Sequence, residues 1–219
     1  MEETQRIYLP AAGHDWLLPL YDPLVKLLGS DSAHRQLLDQ ASIRPGHRVL
    51  EIGCGTGNLV ILVKRRHPEA EVVGLDPDPK AHTRGRRKAE RDALSIQFDR
   101  GFSDALPYPA GSFDRVLSAF MFHHLLNSEE KTKTLLEARR VLVPGGSLHL
   151  LDFGGTTGRS QGYLERFLHR TERLRDNAGD RVVSLMREAG FEEPAEVAHT
   201  VMTIFGRVTY YRASLPRQQ

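Results

Sequence analysis

Apolar positions along this chain follow two alternating rhythms. Short, nearly continuous apolar runs at 48–52 (RVLEI), 71–75 (EVVGL), 95–99 (SIQFD), 114–118 (DRVLS) and 147–153 (SLHLLDF) predict strands. Longer stretches with helical spacing lie between most of them, at 57–67, 79–93 and 129–142. Strand and helix in this alternation predict βαβ units around a mostly parallel sheet. Two more strand candidates, around 196–203 and 206–212, are separated by Phe205-Gly206 and predict a terminal hairpin, hence one antiparallel strand. Ahead of the first strand, 1–46 carries Tyr8, His14, Trp16 and Tyr21 among apolar positions suited to one or two helices. The glycine-rich stretch 154–162 (GGTTGRSQG) predicts a loop, and Tyr163, Phe167, Thr171 and Leu174 then recur at the spacing of an amphipathic helix over 163–176.

Composition narrows the class. The 219 residues suffice for one domain with a sizeable core. Thirty Lys and Arg against 28 Asp and Glu leave a net charge of +2, too balanced to mark a nucleic-acid binder. The single cysteine, Cys54, excludes an internal disulfide framework and a cysteine-only zinc site. No apolar run approaches the ~18 residues of a membrane helix, and the acidic start MEETQRIY lacks a signal-peptide layout. The expectation is a cytoplasmic protein, monomer or homodimer, with no metal and with neither membrane nor nucleic acid as partner.

The most informative stretch is VLEIGCGTGNL at 49–59, where an apolar strand runs into Gly53, Gly55 and Gly57 and a helix pattern begins at once. Glycines at the carboxyl end of a first parallel strand allow a tight turn and the close approach of a ligand. Free N–H groups at the helix start favour a carboxylate or phosphate. A dinucleotide site wants G-x-G-x-x-G, whereas this spacing is G-x-G-x-G with Glu51 two residues ahead. Asp76 ends the second strand candidate 19 residues after Gly57, where a carboxylate suits the two hydroxyls of a ribose.

These features resemble motif I and the acidic second-strand end of the class I S-adenosylmethionine-dependent methyltransferases. Two more segments are similar to that family, in particular its small-molecule branch: ALPYPAGSFDRV at 105–116 and LEARRVLVPGGSLHLLDF at 136–153. Together the matches cover about residues 48–153. The resemblance implies a Rossmann-like α/β fold with a seven-stranded, mostly parallel sheet, the last strand antiparallel and inserted, and helices on both faces. It divides the single domain into a lid-like helical segment at 1–46, a cofactor-binding core at 47–153 and an acceptor-side loop, helix and hairpin at 154–219. The cofactor implied is S-adenosylmethionine. Its methionine end would lie over Gly53, Gly55 and Gly57 and its ribose on Asp76, with Glu51, Cys54, Pro77, Phe102, Ser103, Ser118 and the lid residue Tyr21 as the further cofactor-binding candidates. One departure stands out. The family's usual Gly-Asp-Ala after the third strand reads Gly101-Phe102-Ser103 here. Phe102 cannot accept the adenine amine; it either stacks on the base or fills the core, and Asp99 or Asp104 is left to accept instead.

Methyl transfer is an in-line displacement in which positioning and a base do the work. Candidates are His123 and His124 in the SAFMFHHL segment after the fourth strand, and Asp152 at the end of the fifth, which either orients a substrate or caps a turn. Phe120, Met121 and Phe122 read as wall or core. The basic residues of 80–91 and the set Arg166, Arg170 and Arg173 read as solvated helix faces, with an anionic partner as the other option. The reading is thus methyl transfer to a small-molecule acceptor at O, N, S or an activated carbon. The alternatives are a nucleic-acid or protein methyltransferase, which lacks its N/D-P-P-F/Y sequence here, and a non-catalytic cofactor-binding scaffold.

Overall fold

A computed structural model of the chain describes residues 29–154, 180–202 and 206–217. Tyr8, His14, Trp16, Tyr21 and the segment 163–176 lie outside these residues. The elements in order are α1 (Ser30–Ala41), β1 (Arg48–Ile52), α2 (Asn58–Arg66), β2 (Glu71–Asp76), α3 (Pro79–Arg91), β3 (Gln97–Arg100), β4 (Phe113–Ala119), a 3₁₀ turn (Phe122–His124), α4 (Ser128–Val141), β5 (Leu142–Phe153), α5 (Arg181–Glu188), β6 (Glu192–Met202) and β7 (Gly206–Ser214).

The seven strands form one sheet in the order β3-β2-β1-β4-β5-β7-β6. Strands β1 to β5 pair in parallel, and β7 is inserted antiparallel between β5 and β6. The central strands are buried on both faces, which explains their unbroken apolar runs. Neighbouring residues alternate between the layers. Val49, Leu117, Leu151 and Tyr210 meet Leu37 of α1 and Leu59 of α2, while Leu50, Val116, Leu150 and Tyr211 meet Leu135 of α4 and Leu185 of α5.

Helix starts follow local chemistry. Asp78 caps α3 by accepting the Lys80 N–H at 2.8 Å, with Pro79 at the first helical position. Asn127 caps α4 by accepting the Glu130 N–H at 2.9 Å. Helix α2 has no side-chain cap from its own end; Glu51 of β1 accepts its Val60 N–H at 3.0 Å instead.

Three elements differ from the sequence reading. Strand β5 starts at Leu142, because the chain through Pro144-Gly145-Gly146 stays with the sheet across a register shift against β4, where Gly145 is left-handed (φ 77) and donates to the Pro216 carbonyl. Strand β6 starts at Glu192 and passes through Pro194, which an edge strand tolerates because one side of its backbone has no partner strand. Helix α5 is the third; its short stripe Val182, Leu185 and Met186 becomes legible as an element only once packed against α4.

The PYP turn is pinned by α4. Arg140 donates to the Tyr108 carbonyl at 2.7 Å and the Leu106 carbonyl at 3.0 Å, and Glu137 accepts the Leu106 N–H at 2.7 Å. Replacing Arg140 with Ala removes two charge-assisted bonds to main-chain carbonyls and lowers unfolding free energy by about 1–3 kcal/mol. Urea denaturation measures this, and an unchanged midpoint would contradict it.

Candidate active site

The strand order reverses between β1 and β4, and a cavity of about 860 Å³ opens there, beyond the carboxyl ends of the strands. Its floor is the glycine turn, with Gly53, Gly55 and Gly57 all at positive φ. A Cβ on Gly53 would stand 2.2 Å from Met121 Cγ, so only glycine lets the turn and the β4 loop meet. The turn's amides are committed to neighbours: Gly53 and Cys54 both donate to the Leu75 carbonyl (2.8 and 3.0 Å), Gly55 to Asp76 Oδ2 (2.8 Å) and Gly57 to the Cys54 carbonyl (2.8 Å). The anion-binding amides expected at this helix start are therefore largely used internally, the Val60 N–H included. Cys54 packs against Gly74, and burial pushes its thiol well above its ordinary pKa, which fits a packing role.

Glu51, Gly53, Cys54, Gly55, Asp76, Pro77, Phe102, Ser103, His123 and His124 all line this one cavity. Ser118 and Asp152 do not. The Ser118 hydroxyl is buried and donates to the Ile52 carbonyl at 3.1 Å, tying β4 to β1. Ser103 shares a 2.7 Å hydrogen bond with Thr134 of α4. Of the two candidate acceptors, Asp104 lines the cavity, whereas Asp99 is engaged by Tyr108 Oη at 3.0 Å and Gln97 Nε2 at 2.7 Å.

Two carboxylates here are held short of full stabilisation. Burial pushes Glu51 up to about 8, with the Val60 N–H pulling the other way and Asp76 adding to the rise. Burial also pushes Asp76 up to about 6, against the N–H groups of Asp78 and Gly55. Both therefore gain from any ligand that brings donors to them.

Across the cavity, Phe120 takes an uncommon left-handed φ of 53° while its N–H bonds the Leu151 carbonyl, and the chain then makes the 3₁₀ turn. That turn delivers His123 to Asp152. Nδ1 lies 2.7 Å from Oδ1, and the His123 N–H donates to Oδ2 at 2.9 Å; Phe153 N–H also donates to Oδ1, at 2.7 Å. Burial alone would raise the fully buried Asp152 carboxyl, but the facing His123 and these hydrogen bonds outweigh it and hold Asp152 below the usual carboxylate range. An ionised carboxylate only accepts, so Nδ1 is the nitrogen that donates to Asp152, and Nε2 is the ring nitrogen left to exchange a proton. The rings of His124, His123, Phe153, Phe120 and His34 succeed one another at centroid spacings of 4.2, 4.8, 5.3 and 5.9 Å, forming an aromatic wall.

Sequence reasoning misses Ser30 and His34, which line the cavity from α1, and Phe153 and Met202. The one available signal is spacing: Ser30 and His34 stand four apart on a helix face that also buries Leu37, Leu38 and Ala41. The basic helix α3 is partly occupied by structural work. Arg86 donates to the Phe98 carbonyl, Lys88 to Asn58, and Arg91 pairs with Asp92 together with Arg65. Arg166, Arg170 and Arg173 lie outside the described residues. Among the described residues, no group of three or more His, Cys, Asp or Glu is placed to hold a metal, and no helix is long and apolar enough to cross a membrane.

Residues 49–146 match the family model described as a methyltransferase domain. The chain is 36% identical over 206 residues to the demethylmenaquinone methyltransferase of Deinococcus radiodurans, covering 90% of this chain and 84% of that protein. It is 41% identical over 140 residues to the enzyme of the same name from Thermus thermophilus, covering 63% of this chain and 62% of that protein. It is 38% identical over 117 residues to the ubiquinone/menaquinone biosynthesis C-methyltransferase of Bordetella avium, covering 53% of this chain and 44% of that one. The match thus spans less than two thirds of the Thermus relative and less than half of the Bordetella one. Among solved structures, an S-adenosylmethionine-dependent methyltransferase from Aquifex aeolicus shares the fold, with a TM-score of 0.62 and 18% identity over 83% of this chain and 89% of that one. Fold and relatives together define a Rossmann-like methyltransferase. The chain belongs to the class I S-adenosylmethionine-dependent methyltransferase family.

The raised carboxylates carry a stability signature. A carboxyl whose folded pKa lies above its unfolded value stabilises the fold at low pH and loses that contribution as pH rises to the folded value. For Glu51 the window runs from about 4.5 to about 8. Stability should therefore fall across this range, and Glu51→Gln, which keeps an acceptor for the Val60 N–H, should flatten the fall. Urea midpoints measured from about pH 5 to 8 check this; parallel curves for the two proteins would refute it.

Proposed function

We propose that this protein transfers the methyl group of S-adenosylmethionine to a ring carbon of a small hydroxylated aromatic acceptor, a reduced quinone of the kind named for its relatives. The observation that carries the reading is the His123–Asp152 pair, set beside Phe120 and Phe153 in the cavity that also contains the glycine turn and Asp76. The cavity fits the cofactor. Asp76 presents a carboxylate that gains from the two ribose hydroxyls, and Glu51 one that gains from an ammonium. Gly53, Cys54 and Gly55 form the floor under the methionine end, and Pro77, Phe102, Ser103 and Asp104 surround the place for adenine. Phe102 replaces the family's usual acceptor by packing on the base, and Asp104 supplies a carboxylate in its neighbourhood.

When bound, S-adenosylmethionine supplies an electrophilic methyl group on a positively charged sulfur. The chain's residues prepare the other reactant. His123 Nε2 takes the acceptor's hydroxyl proton, and Asp152 stabilises the resulting imidazolium through Nδ1–H. Loss of that proton makes the neighbouring ring carbon nucleophilic, and the proton later released from that carbon restores the aromatic ring. Phe120, Phe153 and Met202 wall the site with apolar surface, which limits water and orients a flat ring by contact. His124 packs against His123 with the two rings 4.2 Å apart and tilted by 36°.

Two experiments test this reading. Calorimetry should show micromolar binding of S-adenosylhomocysteine that Asp76→Ala abolishes and that weakens below about pH 6, where Asp76 takes up a proton. Retained binding in the variant would exclude the ribose role. Turnover of a demethylated quinol should fall by about 10²–10⁴ in His123→Ala, with cofactor affinity unchanged. An unaltered kcat would remove His123 as the base.

A further inference from the structure

The α-carboxylate of S-adenosylmethionine needs hydrogen-bond donors, and the glycine turn has few to give. The amides of Gly53, Cys54, Gly55, Gly57 and Val60 are all bonded to protein oxygens. Among the described residues no arginine lines the cavity, and the lysine that does, Lys133, is paired with Glu129 at 2.7 Å.

A different wall supplies donors. Helix α1 begins at Gly29 (φ 97) with no side-chain cap, and the Ser32 and Ala33 amides close back on the Gly29 carbonyl. The amides of Ser30 and Asp31 have no carbonyl of the helix itself to meet, and they lie at the positive end of a 12-residue helix. Ser30 lines the cavity and is 4% exposed, yet its buried Oγ has no hydrogen-bond partner. A buried hydroxyl without a partner is costly unless something occupies the site in the working protein. His34 lines the cavity one turn further along, and burial lowers it to about 4, so it is a neutral neighbour that adds no charge of its own.

We infer that the first turn of α1 holds the cofactor's α-carboxylate, with the Ser30 hydroxyl as its side-chain donor. The inference rests on the cofactor reading above. Asp31 shares that turn and opposes an anion there, so it sets the affinity below that of the helix end alone.

The test compares S-adenosylmethionine with decarboxylated S-adenosylmethionine, which keeps the sulfonium, amine and nucleoside but lacks the carboxylate. Calorimetry on the full chain should show the parent bound about tenfold or more tightly than the decarboxylated compound. Ser30→Ala should weaken the parent by about tenfold and leave the decarboxylated compound unchanged. Asp31→Asn, a change at a partly exposed position with little risk to folding, should tighten the parent by roughly two- to fivefold at low salt and leave the more positively charged analogue unchanged or weaker. Equal binding of the two compounds by the unaltered protein, or equal effects of either variant on both, overturns the carboxylate site and leaves the cofactor reading intact. Failure of the unaltered protein to bind either compound overturns the cofactor reading, and this inference with it.

Discussion

Two amides on one carbonyl close the first crossover of this fold. Gly53 and Cys54 both donate to Leu75, and Gly55 donates to Asp76. These bonds fold the end of β1 against the end of β2 and hold Asp76 over the crevice. They also force left-handed backbone at Gly53, Gly55 and Gly57, where side chains would be strained. Everything built on the turn inherits its position: the start of α2, capped from below by Glu51, the contact with Met121, and the floor of the cavity. The same bonding leaves the turn poor in free donors, and the proposed anion site lies on α1 instead.

Asp152 plays the corresponding part at the other end of the crevice. It is fully buried, and its charge is tolerable only because a ring nitrogen and two main-chain amides surround it. Two of those donors come from His123, so the carboxylate ties the loop after β4 to the end of β5. The left-handed Phe120 and the short 3₁₀ turn are the local cost of that connection. In the proposed mechanism one buried group therefore fixes both the place and the tautomer of the base without meeting the ligand.

The two halves of the site differ in kind. Around Asp76 and Glu51 the cavity is acidic and short of cations, which suits a donor-rich, positively charged cofactor. Around Phe120, Phe153 and His123 it is aromatic, which suits a flat acceptor. The fold alone carries many chemistries, so the reading rests on these side chains and not on the sheet they decorate.

Much of this is legible in the chain. Unbroken apolar runs disclose a sheet covered on both faces, because parallel strands bury both sides. The glycine spacing with Glu51 and Asp76 discloses the crevice, because only glycine takes the required turn. His123 and Asp152 each stand out in the sequence, but not as partners, since 29 residues separate them and only the pairing of β4 with β5 brings their ends together. The hydrogen bond of Ser118 to Ile52 is hidden for the same reason: a strand end shows its residue types in sequence, while the neighbour each one meets depends on the register. Strand β5 begins early because a proline-glycine-glycine run stops a helix without dictating the conformation of the next residues. The contributions of Ser30 and His34 show in sequence only as a four-residue spacing, because a helix that precedes the sheet in sequence becomes part of the site only when it packs across β5. The local chemistry of turns and apolar periodicity is written residue by residue, whereas the meeting of distant side chains is fixed by strand order, and strand order is a property of the assembled sheet.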